Sequence, residues 1–162
     1  MTNFYQNDFE TVEWLQSMPA GGYIANIRKI DIYDNGSTMV FLVDIAEGEY
    51  KGYFDYMYDF DCDMKFDCGY AVHMPSEHNK LVNLIQVIKQ SNPGFEFNGD
   101  LSQLVGKEFG IVLQEHEYTE FDGSLSTRLE VATVTTTKDI HAGNYTIPSK
   151  ATLQQLAVSN VQ

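Results

Sequence analysis

The chain has 162 residues, of which 43% are hydrophobic and 13% aromatic, enough apolar material to bury the core of one domain. Its ten Lys and Arg residues stand against 23 Asp and Glu residues, and the net charge of −13 excludes binding of nucleic acid through an overall positive field. No run approaches the roughly twenty apolar residues of a membrane-spanning helix, and the first residues lack a signal-peptide pattern, so we expect a cytoplasmic protein without a membrane partner.

Three regions follow from the distribution of polar and apolar residues. Residues 1–18 are polar with scattered apolar side chains before Pro19, which predicts a flexible N-terminal arm. A folded domain is expected over residues 19–147. The polar residues 148–162 are predicted to form a flexible tail.

The first half of the domain predicts a three-strand meander. Apolar positions in Tyr23–Ile32 mostly alternate, and a shift near Arg28 favours a bulged strand. The β-branched and aromatic residues of Thr38–Ala46 predict a second strand, which a Gly-containing turn connects to Tyr50–Phe54 as a hairpin. Aromatic and acidic side chains then alternate through the acidic Asp55–Asp67 stretch, which indicates an extended segment with one acidic face.

The second half predicts one helix followed by a hairpin. Ser76 is the expected N-cap of the helix, and its apolar face is formed by Leu81, Leu84, Ile85 and Ile88. Two strands are predicted after it, Glu108–Glu117 and Leu125–Thr136, joined by a turn that contains Gly123.

One helix between a three-strand meander and a two-strand hairpin is the element order of an oligonucleotide/oligosaccharide-binding (OB) barrel. We therefore predict a mainly β fold, a five-stranded OB-like Greek-key barrel with its helix between strands 3 and 4. A β-sandwich or a half-barrel is also compatible with the strand pattern.

The residues with catalytic or metal-binding chemistry form no recognisable motif. The four histidines are dispersed, and Cys62 and Cys68 lack partners at metal-ligand spacing. Asp59, Asp61 and Asp63 have the spacing that opens a calcium loop, but the glycine and the glutamate that such a loop requires are missing. The sequence therefore predicts no catalytic residues, no cofactor and no metal site.

Aromatic side chains are concentrated around the second predicted hairpin strand and near the last hairpin. Bases stack on exposed rings at about 1–3 kcal/mol each without sequence preference, and nearby Lys and Arg side chains could contact phosphates. The alternative for each ring is burial in the core. The candidate nucleic-acid-binding residues are Arg28, Lys51, Tyr53, Phe54, Tyr56, Lys107, Tyr118 and Arg128.

Five segments resemble a known group of proteins. They are PAGGYIANIRKI, DIAEGEYKGYF, IKQSNPGFEFN, LVGKEFGIVLQEHEY and DGSLSTRLEVATV, and they cover most of residues 19–147. In order and spacing they resemble small proteins encoded in the replication or recombination region of phages and prophages of Gram-positive bacteria. Members of that family are similar to phage single-stranded-DNA-binding proteins with an OB barrel. Val105-Gly106-Lys107 before a strand, Tyr118 before a hairpin and Arg128 after it resemble the later half of such barrels.

The resemblance implies a protein that binds single-stranded DNA during phage DNA replication or recombination in the cytoplasm of a bacterial host cell. Its further partners would be phage or host replication and recombination proteins, and formation of a homo-oligomer is left open.

A different function class also fits the composition. The net charge of −13 and the acidic Asp55–Asp67 stretch favour an acidic protein-interaction module, a DNA mimic or a replisome adaptor, that binds no nucleic acid.

Overall fold

The computed structural model describes residues 18–55 and 68–153, and its strands form one five-stranded antiparallel sheet. The elements are β1 (Gly21–Tyr33), β2 (Thr38–Ile45), β3 (Cys68–His73), α1 (His78–Ser91), β4 (Glu108–Thr119), β5 (Leu125–Thr135) and α2 (Thr137–Ala142). Across the sheet the strand order is β3-β2-β1-β4-β5. No helix within these residues is long and apolar enough to cross a membrane. The predicted mainly β fold with a helix between the third and fourth strands is confirmed.

The third strand differs from the predicted one. Tyr50–Phe54 forms a turn that leads into a helical turn, and β2 pairs instead with β3, with Val43 opposite Cys68. The Asp44 carboxylate accepts the backbone N–H of Phe54 at 2.9 Å, and Gly52 adopts a φ of 78° that favours glycine. These two features turn the chain after β2, so a hairpin with Tyr50–Phe54 does not form.

The predicted closed barrel is wrong, because the sheet ends at β3 and β5. Within the described part of the chain, no backbone pairing joins these two edge strands. They nevertheless lie next to each other. Leu129 and Val131 of β5 pack against the same core as Tyr70 and Val72 of β3. The sheet is thus not closed into a barrel, although residues of both edge strands contribute to one core.

The bulge in β1 is confirmed and determines which side chains face outward. The register with β2 shifts between Ile27 and Lys29, as the pattern near Arg28 predicts. Before the bulge Ala25 and Ile27 face the core. After it the alternation is offset by one residue, so that Ile30 packs against the core and Asp31 lies on the outer face.

Helix α1 covers the core with Leu81, Leu84, Val87 and Ile88, while the predicted Ile85 is only half-buried. The helix begins at His78 and not directly after Ser76. The Ser76 hydroxyl donates to the His73 carbonyl oxygen, and the Glu77 carboxylate accepts the His73 N–H at 2.8 Å. Ser76 therefore stabilises the preceding turn and is not an N-cap.

Two described segments at the ends of the domain are attached to it more closely than predicted. Met18, at the end of the predicted arm, is buried in the core. Ala151 of the predicted tail exchanges two backbone hydrogen bonds of 2.9 Å with Glu115 and Glu117 of β4. The remainder of both predicted ends, residues 1–17 and 154–162, lies outside the described residues, as does 56–67 with most of the acidic stretch.

Candidate functional site

The outer face of the β1-β2-β3 meander is formed by small and medium-sized side chains. In β2, Phe41 and Val43 face the core, so the intervening Leu42 lies on the outer face. In β3 the same alternation leaves Gly69 and Ala71 on that face. A Cβ atom at position 69 would lie 2.8 Å from a methyl group of Val40, so the glycine allows the side chains of β2 to lie flat over β3.

An open groove of about 360 Å³ runs over this surface and is bounded by β5. Its lining residues are Asp31, Tyr33, Val40, Leu42, Gly69, Ala71, Arg128, Leu129 and Glu130. The floor is apolar and the polar groups stand on the two walls, β1 and β5. This surface combines the exposed Tyr33 with the guanidinium group of Arg128.

On the β5 wall, Arg128 is held by Glu130. The Nη2 and Nε atoms of Arg128 both donate to Oε1 of Glu130, at 2.7 and 3.1 Å. His116 lies opposite Arg128 in the register of β4 and β5, with its Nε2 atom 3.7 Å from the second oxygen of Glu130. The Arg128 guanidinium also lies 5.7 Å from the centre of the Tyr118 ring. The wall thus has a cation between a carboxylate and an aromatic ring.

On the β1 wall, Asp31 has a similar position. Its carboxylate lies 3.2 Å from Lys29 Nζ and accepts the Tyr33 hydroxyl at 3.4 Å. The side chain of Tyr33 is 50% exposed and reaches the groove just before β1 ends. About half of the surface of Tyr33 is therefore accessible to a ligand.

The structure places two predicted stacking residues inside the protein. Tyr53 and Phe54 are 8% and 4% exposed, and their ring centres lie 4.9 Å apart in an edge-to-face arrangement. Burial raises the pKa of the Tyr53 hydroxyl to about 12, with the nearby Tyr50 adding to the effect. Rings in the core cannot stack on bases, so the role predicted for Tyr53 and Phe54 is corrected to core packing.

The remaining predicted residues are distributed over different surfaces. Arg28 lies in the bulge of β1, 3.4 Å from the carboxylate of Asp55. Lys51 is exposed in the turn after β2, and Lys107 lies over the ring of Phe95 at 4.8 Å. None of these three cations is among the groove's lining residues. Tyr56 lies outside the described residues.

Of the eight predicted residues, Arg128 lines the groove, and Tyr118 lies next to it, outside the lining, with its ring centre 5.7 Å from the Arg128 guanidinium. Sequence reasoning missed Asp31, Tyr33 and Glu130. Their signal was the strand alternation itself: once the bulge in β1 is placed, Asp31 and Tyr33 lie on the face opposite Ile30. Which outer face forms a groove depends on how β5 meets the meander, and local periodicity does not contain that information.

The arrangement can bind a ligand that has both planar apolar rings and anionic groups. The floor and Tyr33 would contact the rings, and Arg128 would contact an anion. No model of a known protein family matches the chain, and no curated protein matches it. The geometry of the groove is therefore the basis for a functional proposal.

Proposed function

We propose that this protein binds single-stranded DNA in the groove on the outer face of β1, β2 and β3, as a component of phage or prophage DNA replication or recombination. The observation that supports the proposal best is the groove itself, whose lining combines the half-exposed Tyr33, Arg128 and an apolar floor. OB folds bind oligonucleotides on the face of strands 2 and 3, next to the connections between strands 1 and 2 and between strands 4 and 5.

The strand arrangement is compatible with an OB-like fold whose barrel is open between β3 and β5. Three meander strands, one helix and a hairpin follow in the same order, and β1 lies between β2 and β4. Tyr33 directly precedes the connection between β1 and β2, and Tyr118 precedes that between β4 and β5. The sequence resemblance to phage single-stranded-DNA-binding proteins supports the same assignment.

The balance of forces in the groove favours stacking over charge. A base stacked on Tyr33 would contribute about 1–3 kcal/mol, whereas the groove lining contains one cation, Arg128, and two carboxylates. Each phosphate neutralised on a single strand contributes about −0.7 to the slope of log K against log salt concentration. We therefore expect binding with a shallow salt dependence.

The test is a fluorescence-anisotropy titration of labelled oligothymidylate with the wild-type protein, Tyr33→Ala and Ile32→Ala. Ile32 is 57% exposed and neighbours Tyr33 on β1, so Ile32→Ala is a matched control for loss of an exposed apolar side chain. We expect Tyr33→Ala to weaken binding about tenfold, the equivalent of about 1.4 kcal/mol of lost stacking, and Ile32→Ala to leave it unchanged. Absence of binding by the wild-type protein at low salt would reject the proposal.

A second candidate function is supported by the ion pairs. Arg28 and Arg128, both predicted phosphate contacts, already lie next to Asp55 and Glu130. If the protein is an acidic interaction module, these carboxylates belong to a surface that attracts a basic replication or recombination protein. In that case the anisotropy of the labelled oligothymidylate does not change when the wild-type protein is added. Tyr33→Ala then gives the same result as the wild type.

A further inference from the structure

The cation in the groove has a carboxylate two residues away on its own strand, and so does the cation beside the groove. Arg128 is paired with Glu130 on β5, and Lys29 is paired with Asp31 on β1. Because alternate residues of a strand point to the same side, each pair shares a face. The positive charge of Arg128 on the β5 wall and that of Lys29 on the β1 wall are thus each already paired with a neighbouring carboxylate.

We infer that Glu130 competes with a ligand phosphate for Arg128 and so limits the affinity of the groove for polyanions. This inference rests on the proposed binding of single-stranded DNA in the groove. Oε1 of Glu130 accepts from both Nε and Nη2, which form one of the two edges through which a guanidinium can donate two hydrogen bonds to a phosphate. A phosphate can take this edge only after the carboxylate has moved.

His116 gives the displaced carboxylate a second partner. Its Nε2 atom is 3.7 Å from Oε2 of Glu130, on the position of β4 opposite Arg128. The Glu130 side chain is also 36% exposed, so water can solvate the carboxylate when it leaves Arg128. The exchange of Glu130 for a phosphate therefore costs little free energy. Glu130 competes with the phosphate for Arg128 but does not prevent it from binding.

The consequence is a groove that selects against isolated anions. Binding of an isolated phosphate only replaces one anion at Arg128 by another, so its net gain in binding free energy is small. A polymer that also places a base on Tyr33 gains the stacking energy in addition. Glu130 thus contributes to specificity by making phosphate contact insufficient for binding.

The experiment compares Glu130→Gln with Glu115→Gln in the oligothymidylate titration, at a series of salt concentrations. Gln keeps the shape of the side chain and a carbonyl oxygen that can accept from Arg128, but removes the charge. Glu115 is exposed on the other face of the same hairpin, so Glu115→Gln is a control for the same change in net charge. We expect Glu130→Gln to bind about fivefold tighter with a salt slope steeper by about 0.7, and Glu115→Gln to change affinity less than about twofold.

The double variant Arg128→Gln/Glu130→Gln tests whether the effect acts through Arg128. If it does, the gain from Glu130→Gln is lost in the Arg128→Gln background, because the two residues are coupled. Equal affinities of Glu130→Gln and Glu115→Gln, with binding by the wild type intact, would overturn the inference and leave the proposed function standing. Failure of all variants and of the wild type to bind would overturn both.

Discussion

Two aromatic regions of this molecule have opposite surroundings. Around the turn after β2, the rings of Tyr50, Tyr53 and Phe54 contact one another edge to face, with centres 6.2 and 4.9 Å apart. On the outer face, Tyr33 is half-exposed beside the groove and Tyr118 lies against Arg128. The inner rings are the denser group in the sequence, yet the outer rings are the ones a ligand can reach. Aromatic density therefore indicates where rings are, and backbone geometry determines which face they occupy.

The largest expected difference between the regions is in stability. Phe54→Ala removes a 4% exposed ring from the core, whereas Phe121→Ala removes a fully exposed ring from the connection between β4 and β5. We expect Phe54→Ala to lower the free energy of unfolding by about 3–5 kcal/mol, since truncation of a buried Phe leaves a cavity. Phe121→Ala should change it by less than about 0.5 kcal/mol.

Unfolding in urea, followed by the intrinsic fluorescence of the folded protein, measures both values. Similar unfolding midpoints for Phe54→Ala and Phe121→Ala would mean that Phe54 is not a core residue. Phe54 would then be exposed enough for the predicted stacking on a base.

The same contrast explains what could be predicted from the sequence. Local alternation of apolar and polar residues predicts four of the strands and the bulge near Arg28. The four strands are β1, β2, β4 and β5. The prediction of a strand over Tyr50–Phe54 was wrong because the side chain of Asp44, ten residues before Phe54, accepts the Phe54 N–H and turns the chain. The prediction of a closed barrel was wrong because pairing of β3 with β5 depends on contacts between residues more than fifty positions apart, which local patterns do not contain.

At the candidate site, the sequence predicted Tyr118 and Arg128 because Tyr118 is one of the rings near the last hairpin and Arg128 is a nearby cation. It missed Glu130 because the contact between Arg128 and Glu130 follows only from the final geometry of the two side chains. Tyr33 was missed because its orientation depends on the exact position of the bulge.

Asp44 separates the two regions, and its removal should have the next largest effect. Its buried carboxylate accepts the backbone N–H groups of Ile45 and Phe54 at 2.8 and 2.9 Å. Asp44→Ala leaves two buried donors without these bonds, and we expect a loss of about 1–3 kcal/mol in the free energy of unfolding. Asp44→Asn keeps an acceptor at the same place and should lose less. Equal losses in the two variants would contradict the role of Asp44 as an acceptor.

Asp44 also makes the stability of the inner region depend on pH. Burial raises the pKa of the Asp44 carboxyl above its ordinary value of 3.8, although its backbone hydrogen bonds act in the opposite direction. The folded state then holds the proton to higher pH than the unfolded state does, so this contribution to stability is present at low pH and is lost as the pH rises through the folded-state pKa.

Asp44→Asn has no such proton to lose. The free energy of unfolding of Asp44→Asn, relative to the wild type, should therefore increase as the pH rises from the ordinary Asp pKa through the folded-state pKa. Urea unfolding at several pH values measures this difference. A difference that decreases with rising pH would mean that the hydrogen bonds to Ile45 and Phe54 outweigh the effect of burial.

The smallest effect on stability is expected at the outer groove. Arg128 and Glu130 are 51% and 36% exposed in their side chains, and exposed ion pairs contribute about 0–1 kcal/mol. Glu130→Gln should therefore change the free energy of unfolding by less than about 1 kcal/mol, while it changes affinity for the oligonucleotide. A larger loss would show that Glu130 is part of the scaffold. A small loss in the free energy of unfolding would mean that residues of the inner region determine whether the protein folds. The charges of the outer region can be changed without affecting folding, because water already solvates them.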